Sequence, residues 1–240
     1  MTTDTAIPAS AEPGSLKALG EALDARRRKI HTEMGGQDKI DRIHAKGRYT
    51  IRERIDRLLD DGSFQEVGTF AVSNRVEDRG VTPGDGKIGG FGTVADRPMA
   101  VAGDDITVKR GSSSMIGSQK IHRIFETAGA DGTPCVYFGE TGGARIPDTL
   151  GSEGFVKVPP DIGNARRRRR TPMVSVICGA SFRGSSFQSA FSDVVIQIEG
   201  TCLAVTSPRV IEIATGEKIT FEELGGTSVH DRHTGQIDRV

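Results

Sequence analysis

The sequence predicts an α/β layered fold, and two observations carry this prediction. A short apolar run, a glycine-rich turn and a helix-like segment follow one another twice, first across residues 134–156 and again across residues 173–192. Strands in hairpin-like pairs lie before and between these units. An alternation of this kind is typical of sheets covered by helices. Glycine, at 31 of 240 residues, exceeds its usual share of about 7%, which indicates many turns and close backbone contacts.

Composition argues against several classes of protein. Lys plus Arg and Asp plus Glu both number 32, so the chain lacks the basic field that general nucleic-acid binding needs. The apolar runs are too short to cross a membrane, and residues 1–13 lack the basic start of a secretory signal. We therefore expect a cytoplasmic protein. Cys135, Cys178 and Cys202 stand singly in apolar runs, which predicts buried thiols and no disulfide or zinc site.

The N-terminal quarter predicts a disordered tail followed by a helical segment. Residues 1–14 are small, polar and proline-containing, as in disordered chains, and residues 15–63 form the helical segment. Its predicted helices cover residues 15–34, residues 38–46 and a stretch that begins at Thr50. Thr50 and Glu53 match a capping box. Four arginines on or beside the third helix are expected to form a solvated face: Arg48, Arg52, Arg54 and Arg57.

From residue 64 to residue 240 the pattern changes to short strands and turns, which predicts a second domain. Its first part reads as a strand, a loop, a hairpin and a helix, over residues 64–72, 74–86, 87–104 and 115–128. Gly84, Gly86 and Gly89 match the spacing of a dinucleotide fingerprint. They precede a hairpin where that motif requires a helix, so we expect no nucleotide there.

The second part of this domain contains the two strand–turn–helix units and a C-terminal tail. Strands are predicted over residues 134–138, 173–178, 194–199 and 202–206, and helices over residues 147–156, 188–192, 208–213 and 221–224. Five successive arginines occupy residues 166–170. Such a run is usually a solvated surface, and a clamp for a phosphate-rich ligand is the alternative.

The turn across residues 139–146 is the candidate site. Its adjacent glycines, Gly142 and Gly143, allow the backbone to approach a ligand because no Cβ intervenes. N–H groups at the start of a helix favour an anion, either a phosphate or a developing oxyanion. The alternative is a tight turn without further role. A second glycine turn, across residues 179–186, raises the prospect that each turn offers one N–H to a single oxygen, and one such donor is worth ~3 kcal/mol of barrier.

Several motifs together resemble the carboxyltransferase (β-type) subunits of biotin-dependent acyl-CoA carboxylases, of the propionyl-CoA carboxylase β type. The glycine turn, Gly-Gly-Ala-Arg-Ile at residues 142–146, is similar to the turn of that family. The other similar segments are residues 46–55, 58–64, 90–105, 206–211 and 222–230. Their common order and spacing carry the resemblance, which covers nearly the whole chain after the tail.

The resemblance implies a crotonase-like fold, a spiral of ββα units, that binds an acyl-CoA substrate. It implies that backbone N–H groups of Gly142, Gly143 and Gly184 stabilise a thioester enolate. The acyl-CoA-binding residues that it implies are Ala144, Arg145, Arg183, Arg48 and Arg52, and no metal is expected. Arg183 stands where the family has glycine, and Thr141 and Ser207 replace a serine and a glycine.

The resemblance also implies partners. The cofactor is biotin, carboxylated on a carrier protein and not attached to this chain. The chain resembles the first of two homologous halves, so we expect the biotin-side half on a separate chain. Biotin carboxylase and the biotin carboxyl carrier protein are the other expected partners. The complex would be a hetero-oligomer, of which a hexameric ring is one form. Two alternatives remain open, namely a subunit of a malonyl-thioester decarboxylase and a non-catalytic CoA-binding or assembly subunit.

Overall fold

The computed structural model of the protein describes residues 14–151 and 170–240. In this part of the chain seven strands form one sheet. They are β1 (Gln65–Glu66), β2 (Lys87–Val94), β3 (Arg97–Asp104), β4 (Cys135–Thr141), β5 (Met173–Phe182), β6 (Val194–Gln197) and β7 (Cys202–Ala204). Residues 1–13 of the predicted tail, residues 152–156 of the predicted helix over residues 147–156 and all but Arg170 of the arginine run lie outside the described residues.

The sheet begins as an antiparallel hairpin and continues in parallel. Its order is β1-β2-β3-β4-β5-β6, and β7 pairs with the last residues of β5. The hairpin of β2 and β3 confirms the prediction. Ala95 and Asp96 turn the chain at φ 49° and 63°, as a two-residue hairpin loop requires. The Asp60 carboxylate accepts both of their N–H groups at 2.9 Å. These hydrogen bonds fix the hairpin turn to the N-terminal helical segment.

Several predicted strand boundaries are wrong, since the strand predicted to end at Phe138 runs to Thr141 and those predicted to end at residues 199 and 206 stop at Gln197 and Ala204. Tertiary contacts explain two further differences. The strand predicted over residues 64–72 is only β1, because Gly68 at φ 69° turns the chain away after Val67. β5 runs on to Phe182 where Cys178 was the predicted end, because residues 180–182 pair with β7. A Cβ on Gly179 would lie 2.5 Å from the Glu140 carboxylate. Gly179 therefore serves packing and does not form the predicted turn.

The described residues also contain nine α-helices and several tighter helical turns. The helices are α1 (Leu16–Glu33), α2 (Gln37–His44), α3 (Ile51–Leu58), α4 (Met115–Asp131), α5 (Ile146–Thr149), α6 (Gly184–Ala190), α7 (Pro208–Thr215), α8 (Phe221–Gly225) and α9 (Thr227–Val229). Three 3₁₀ turns cover Val76–Val81, Pro83–Gly86 and Lys109–Gly111. The predicted capping box at Thr50 and Glu53 is confirmed.

Helices pack on both faces of the sheet, which confirms the α/β layered prediction. Alternate residues of β3 point to opposite faces. Val101 belongs to a cluster with α2 and α3, whereas Ala100 and Ala102 belong to a cluster with α4. Because α3 packs directly on the sheet, the helical segment over residues 15–63 shares its core with the following domain, and the proposed boundary at residue 64 stays a prediction.

The three cysteines are buried and free, as predicted. The leucines of α1 are not packed within the described part of the chain, since Leu16, Leu19 and Leu23 are 88%, 56% and 45% exposed. None of the helices in residues 14–151 and 170–240 combines the length and the apolar character that crossing a bilayer needs.

Candidate active site

The two glycine turns lie side by side at the carboxyl ends of neighbouring parallel strands. Thr141 at the end of β4 pairs with Ser181 near the end of β5, so the chain leaves both strands at the same edge. A Cβ placed on Gly143 would lie 3.9 Å from the Phe182 Cβ, and one placed on Gly184 would lie 3.2 Å from the Ser113 hydroxyl oxygen. The expected juxtaposition of the turns is present in the structure.

Most N–H groups of the first turn are already bonded within the chain. Gly142 N donates to the Arg110 carbonyl at 2.9 Å, and Gly143 N donates to the Thr141 hydroxyl at 3.1 Å. Arg145 N donates to the Ser113 carbonyl at 2.8 Å. Within the part of the chain that the structure describes, Ala144 N has no acceptor, and Ala144 is half-buried. The amide that this turn offers is therefore that of Ala144, one or two positions after the predicted glycines.

The second turn offers the amide of Gly184. Arg183 N donates to the Val205 carbonyl at 3.1 Å, and α6 begins at the next residue. Gly184 N has no acceptor among residues 14–151 and 170–240, and Gly184 is also half-buried. Two unpaired, half-buried N–H groups thus flank the contact between the turns, an arrangement that suits an oxygen carrying negative charge.

Arg183 adopts an unusual backbone conformation at this turn, with φ 51° and ψ −111°. Glycine occupies this region freely, whereas a residue with a Cβ bears strain on the order of 1–3 kcal/mol. The side chain is exposed. The departure from glycine that the sequence displays is thus tolerated by the fold at an energetic cost.

Arg145 is buried and holds the first turn against the Pro83–Gly86 turn. Its side chain is 4% exposed and pairs with Asp85 at 2.5 Å and with Asp148 at 3.3 Å. Burial raises the pKa of Asp148, and the charge of Arg145 opposes that rise. The guanidinium of this predicted substrate-binding residue therefore bonds to carboxylates of its own chain.

Arg52 makes a similar internal pair. It donates two hydrogen bonds to Glu66, at 2.9 and 3.2 Å, and its side chain is 12% exposed. Burial opposes ionisation of Glu66, but Arg52 and the nearby Lys120 outweigh burial and the pKa of Glu66 is lowered. The Arg54 side chain is also only 12% exposed. The expectation of a solvated arginine face is wrong for Arg52 and Arg54, because acidic side chains from the sheet reach them.

Arg48, two residues before the Thr50 cap of α3, contacts both β4 and β5. It donates to Glu140 at 2.6 Å and to the Cys178 carbonyl, and 35% of its side chain stays exposed. Burial raises the pKa of Glu140, whereas the positive charges of Arg48 and Arg54 act in the opposite direction. Of the three predicted arginines outside the second turn, only Arg48 presents a substantial surface to solvent.

That surface lines a cavity of about 600 Å³ that is rich in positive charge. Six cationic side chains line it, namely Lys39, Arg42, Lys46, Arg48, Lys109 and Arg110, against a single acidic one, Glu140. The cavity adjoins the first turn, since a Cβ on Gly142 would lie 3.5 Å from the Arg110 Nε. Phosphate groups favour such a surface.

Five of these six cations were not predicted from the sequence. A signal for three of them exists, because Lys39, Arg42 and Lys46 are spaced by three and four residues and so share one face of α2 and its extension. Lys109 and Arg110 come from a distant 3₁₀ turn, and no local pattern associates them with α2. In residues 14–151 and 170–240, no three His, Cys, Asp or Glu side chains are grouped in a way that suits a metal ion.

Comparison with known proteins gives a consistent result. Residues 42–240 match the carboxyl transferase domain. The chain is 34% identical to the methylmalonyl-CoA carboxyltransferase 12S subunit of Propionibacterium freudenreichii over 90% of its own length and 42% of that protein. It is 36% identical to the propionyl-CoA carboxylase beta chain of Cereibacter sphaeroides, over 88% and 42%. It is 32% identical to the methylmalonyl-CoA decarboxylase subunit alpha of Veillonella parvula, over 84% and 40%.

Solved structures extend this similarity to the fold. A crystal structure of the transcarboxylase 12S hexamer with hydrolysed methylmalonyl-coenzyme A bound superposes with a TM-score of 0.84 at 34% identity, over 93% of this chain and 44% of that one. The crotonase-like fold expected from the resemblance is thereby confirmed. The chain spans about two-fifths of the length of the curated relatives it matches. The match over residues 42–240 and the similarity to these relatives show that the chain belongs to the carboxyl transferase domain family.

Proposed function

We propose that this chain forms the acyl-CoA half of a biotin-dependent carboxyltransferase site, in which a carboxyl group moves from carboxybiotin to the α-carbon of an acyl-CoA. The observation that carries the proposal is the pair of unpaired amides, Ala144 N and Gly184 N, on adjoining turns. The sequence prediction named Gly142, Gly143 and Gly184, and the proposal replaces the first two with Ala144 because their own N–H groups are bonded within the chain.

The role of these amides is to stabilise negative charge as it develops. When the α-proton leaves an acyl thioester, charge builds on the thioester oxygen, and that oxygen accepts hydrogen bonds from Ala144 N and Gly184 N. Donors fixed by the fold need no reorganisation during the reaction, and each is worth ~3 kcal/mol of barrier. Carboxybiotin, when bound, would supply the carboxyl group as CO₂, and the biotin anion left behind would take up the α-proton.

We assign the cationic cavity to the phosphates of CoA. The adenosine end of CoA carries three phosphate groups, and six cations with one acid line the cavity. Arg48 belongs to this set, as the resemblance implied. Arg52 and Arg145 are left out, because their side chains are only 12% and 4% exposed. Arg42, Arg48 and Lys109 also pair with carboxylates, but 76%, 35% and 41% of their side chains stay exposed.

Loss of positive charge in the cavity tests this assignment. Reversing the charge at Arg42 and Lys46 together (Arg42→Glu, Lys46→Glu) is expected to raise KM for an acyl-CoA at least tenfold, because phosphates bind charged donors strongly. The KM for the matching acyl-pantetheine, which lacks the adenosine phosphates, should stay within twofold. Lys17→Glu, outside the cavity, is the control. An equal rise in KM for both thioesters would contradict the assignment.

The biotin side of the site belongs to a second chain in this proposal. A relative that is 34% identical over 90% of this chain is named the beta5 subunit of a biotin-dependent acetyl-/propionyl-coenzyme A carboxylase, and a related structure is described as a hexamer. A second carboxyltransferase half of similar fold, with biotin carboxylase and its carrier, then completes a hetero-oligomeric enzyme. Carboxylation of an acyl-CoA by the purified chain with free biotin alone would remove the need for that partner.

Removal of one donor tests the oxyanion site itself, in the complex with its partner. Gly184→Pro deletes the N–H at the first residue of α6, where proline fits a helix, and should lower kcat about 10²- to 10³-fold. Gly184→Ala keeps the N–H and should lose far less. Equal kcat values for the two variants would exclude Gly184 N as a donor, and circular dichroism of both variants checks that they fold.

A decarboxylase subunit is the second candidate, favoured by the similarity to a methylmalonyl-CoA decarboxylase subunit. The same amides stabilise the enolate whether the carboxyl group is added or removed. Release of CO₂ from malonyl-CoA or methylmalonyl-CoA by the complex, without ATP and biotin carboxylase, would identify this activity. A non-catalytic subunit would instead bind a CoA thioester in calorimetric titration and produce no turnover in the complex.

A further inference from the structure

Thr141 has a hydroxyl group that contacts both the glycine turn and the segment beneath it. The residue is the last one of β4 and is 0% exposed. Its Oγ1 accepts the Gly143 N–H at 3.1 Å and donates to the Gly111 carbonyl at 2.8 Å. One buried hydroxyl thus satisfies both an amide of the turn and a carbonyl of the neighbouring 3₁₀ turn.

The Gly111 carbonyl is itself fixed by a buried ion pair. Lys87 Nζ donates to this carbonyl at 2.8 Å and pairs with Asp104. The other Asp104 oxygen accepts the Tyr137 hydroxyl at 2.8 Å and the Glu140 N–H at 3.0 Å. Groups from β2, β3 and β4 therefore meet at one carboxylate, and the Thr141 hydroxyl is held at the edge of a network with little freedom to move.

This arrangement determines which amide of the turn remains unpaired. The Arg110 carbonyl takes the Gly142 N–H, and the Thr141 hydroxyl takes that of Gly143. Gly143 itself has φ 105°, a conformation open to glycine. Without the hydroxyl, the buried Gly143 N–H would lose its only acceptor, and a buried amide without a partner rotates or draws in water because leaving it unpaired is costly.

We propose that Thr141 is a positioning residue, whose hydroxyl holds the Gly143 amide so that the Ala144 amide is the one presented to the thioester oxygen. This inference rests on the proposed function for its effect on catalysis. Its structural part, the bond between the Thr141 hydroxyl and the Gly143 amide, is independent of any activity.

The test compares three variants with the unaltered chain. Thr141→Val keeps the shape and deletes the hydroxyl, and Thr141→Ser restores it. Thr82→Val is a matched control, because Thr82 is also 0% exposed, and its hydroxyl also accepts a backbone N–H, at 3.0 Å, and donates to a carbonyl, at 2.8 Å. Hydrogen exchange at the Gly143 amide is measured on the purified chain, and kcat and KM on the complex with its partner.

We expect Thr141→Val to speed exchange at the Gly143 amide at least tenfold and to lower kcat at least tenfold, with KM for the acyl-CoA within threefold. Thr141→Ser should return both values to near those of the unaltered chain. Thr82→Val should match Thr141→Val in loss of Tm and leave kcat within threefold. Unchanged exchange in Thr141→Val, or an equal fall in kcat in Thr82→Val, would overturn the inference.

These readouts also separate the two proposals. If the unaltered complex has no carboxyltransfer activity, the proposed function fails, and hydrogen exchange still tests the bond between Thr141 and Gly143. If the complex is active and Gly184→Pro abolishes turnover while Thr141→Val retains it, the proposed function stands and the inference about Thr141 is wrong.

Discussion

At the scale of single residues, Arg183 combines a strained backbone with a position at the candidate site. Its φ and ψ of 51° and −111° match the first central residue of a type II′ turn, for which glycine is the common choice. The resemblance described for the sequence implies a glycine there. The Arg183 backbone is therefore strained, and because Arg183 directly precedes Gly184, we expect changes at this residue to affect activity.

Replacement of Arg183 by glycine should stabilise the chain. Relief of the backbone strain, on the order of 1–3 kcal/mol, exceeds the added chain entropy of glycine, roughly 0.5–1 kcal/mol. We therefore expect Arg183→Gly to raise the free energy of unfolding by about 1 kcal/mol, measured by urea denaturation. Glu217→Gly, at an exposed residue outside the positive-φ set, should lower it. A loss of stability in Arg183→Gly would contradict this account.

The same residue affects the choice between catalytic and non-catalytic proposals. If Arg183 obstructs the site, kcat of the complex should rise in Arg183→Gly, and if the side chain contacts the substrate, KM should rise instead. A steady-state measurement on the complex separates the two, and no change in either value would exclude a role in turnover.

At the scale of elements, two glycines with opposite surroundings illustrate what the sheet requires. A Cβ on Gly103 of β3 would lie 2.3 Å from the Ile51 Cδ1 and 2.9 Å from the Phe138 carbonyl oxygen. α3 thus packs on β3 without space for a methyl group. Gly129 of α4 has no heavy atom within 4 Å of an added Cβ.

The same substitution should therefore have opposite effects at these two positions. Gly103→Ala is expected to lower the free energy of unfolding by roughly 1–3 kcal/mol, as overpacking does. Gly129→Ala is expected to raise it by roughly 0.5–1 kcal/mol, because alanine is the better helix former. Thermal and urea unfolding of both variants measures the difference. Destabilisation by Gly129→Ala would indicate contacts outside this chain.

At the scale of the whole molecule, the C-terminal third carries a concentration of exposed apolar side chains. They are Phe187, Phe191, Val194, Ile198, Val205, Val210, Ile213, Phe221 and Val240, each at least 36% exposed. Several belong to α6 and α7, which follow the second glycine turn. Exposed apolar side chains mark interaction sites where they adjoin one another, and we expect the partner half proposed above to cover some of these.

A charge in this surface should block assembly and leave the fold intact. Ile213→Asp, at a residue 76% exposed, is expected to weaken binding of the partner half at least tenfold, because burying an unpaired carboxylate is costly. The chain's own Tm should change by less than a few degrees. Val76→Asp, at a residue 72% exposed and flanked by Arg75 and Glu77, is the control. Sedimentation with the partner measures both, and equal affinity in all variants would place the interface elsewhere.

Local pattern was enough to predict the hairpin of β2 and β3, the capping box on α3 and the order of strand, turn and helix around the first site. These features depend on neighbours in the chain, namely the alternation of apolar residues, a threonine three residues before a glutamate, and glycines in sequence. Ordered motifs were also enough to predict the family and its crotonase-like fold.

Other features depend on residues that are distant in the chain and meet only in the folded protein. β5 extends to Phe182 because β7 pairs with it. Arg52 and Arg145 bind carboxylates of other segments, and because the sequence does not show these contacts, it predicted that both side chains would reach the substrate. Likewise, Thr141 and Arg110 bond to the two glycine amides and leave that of Ala144 unpaired. The sequence by itself determined where the first turn lies and which family the chain belongs to. The tertiary structure decided where the second turn begins and which amides and cations are available, because strand pairing, hydrogen bonds and burial within the fold occupy the rest.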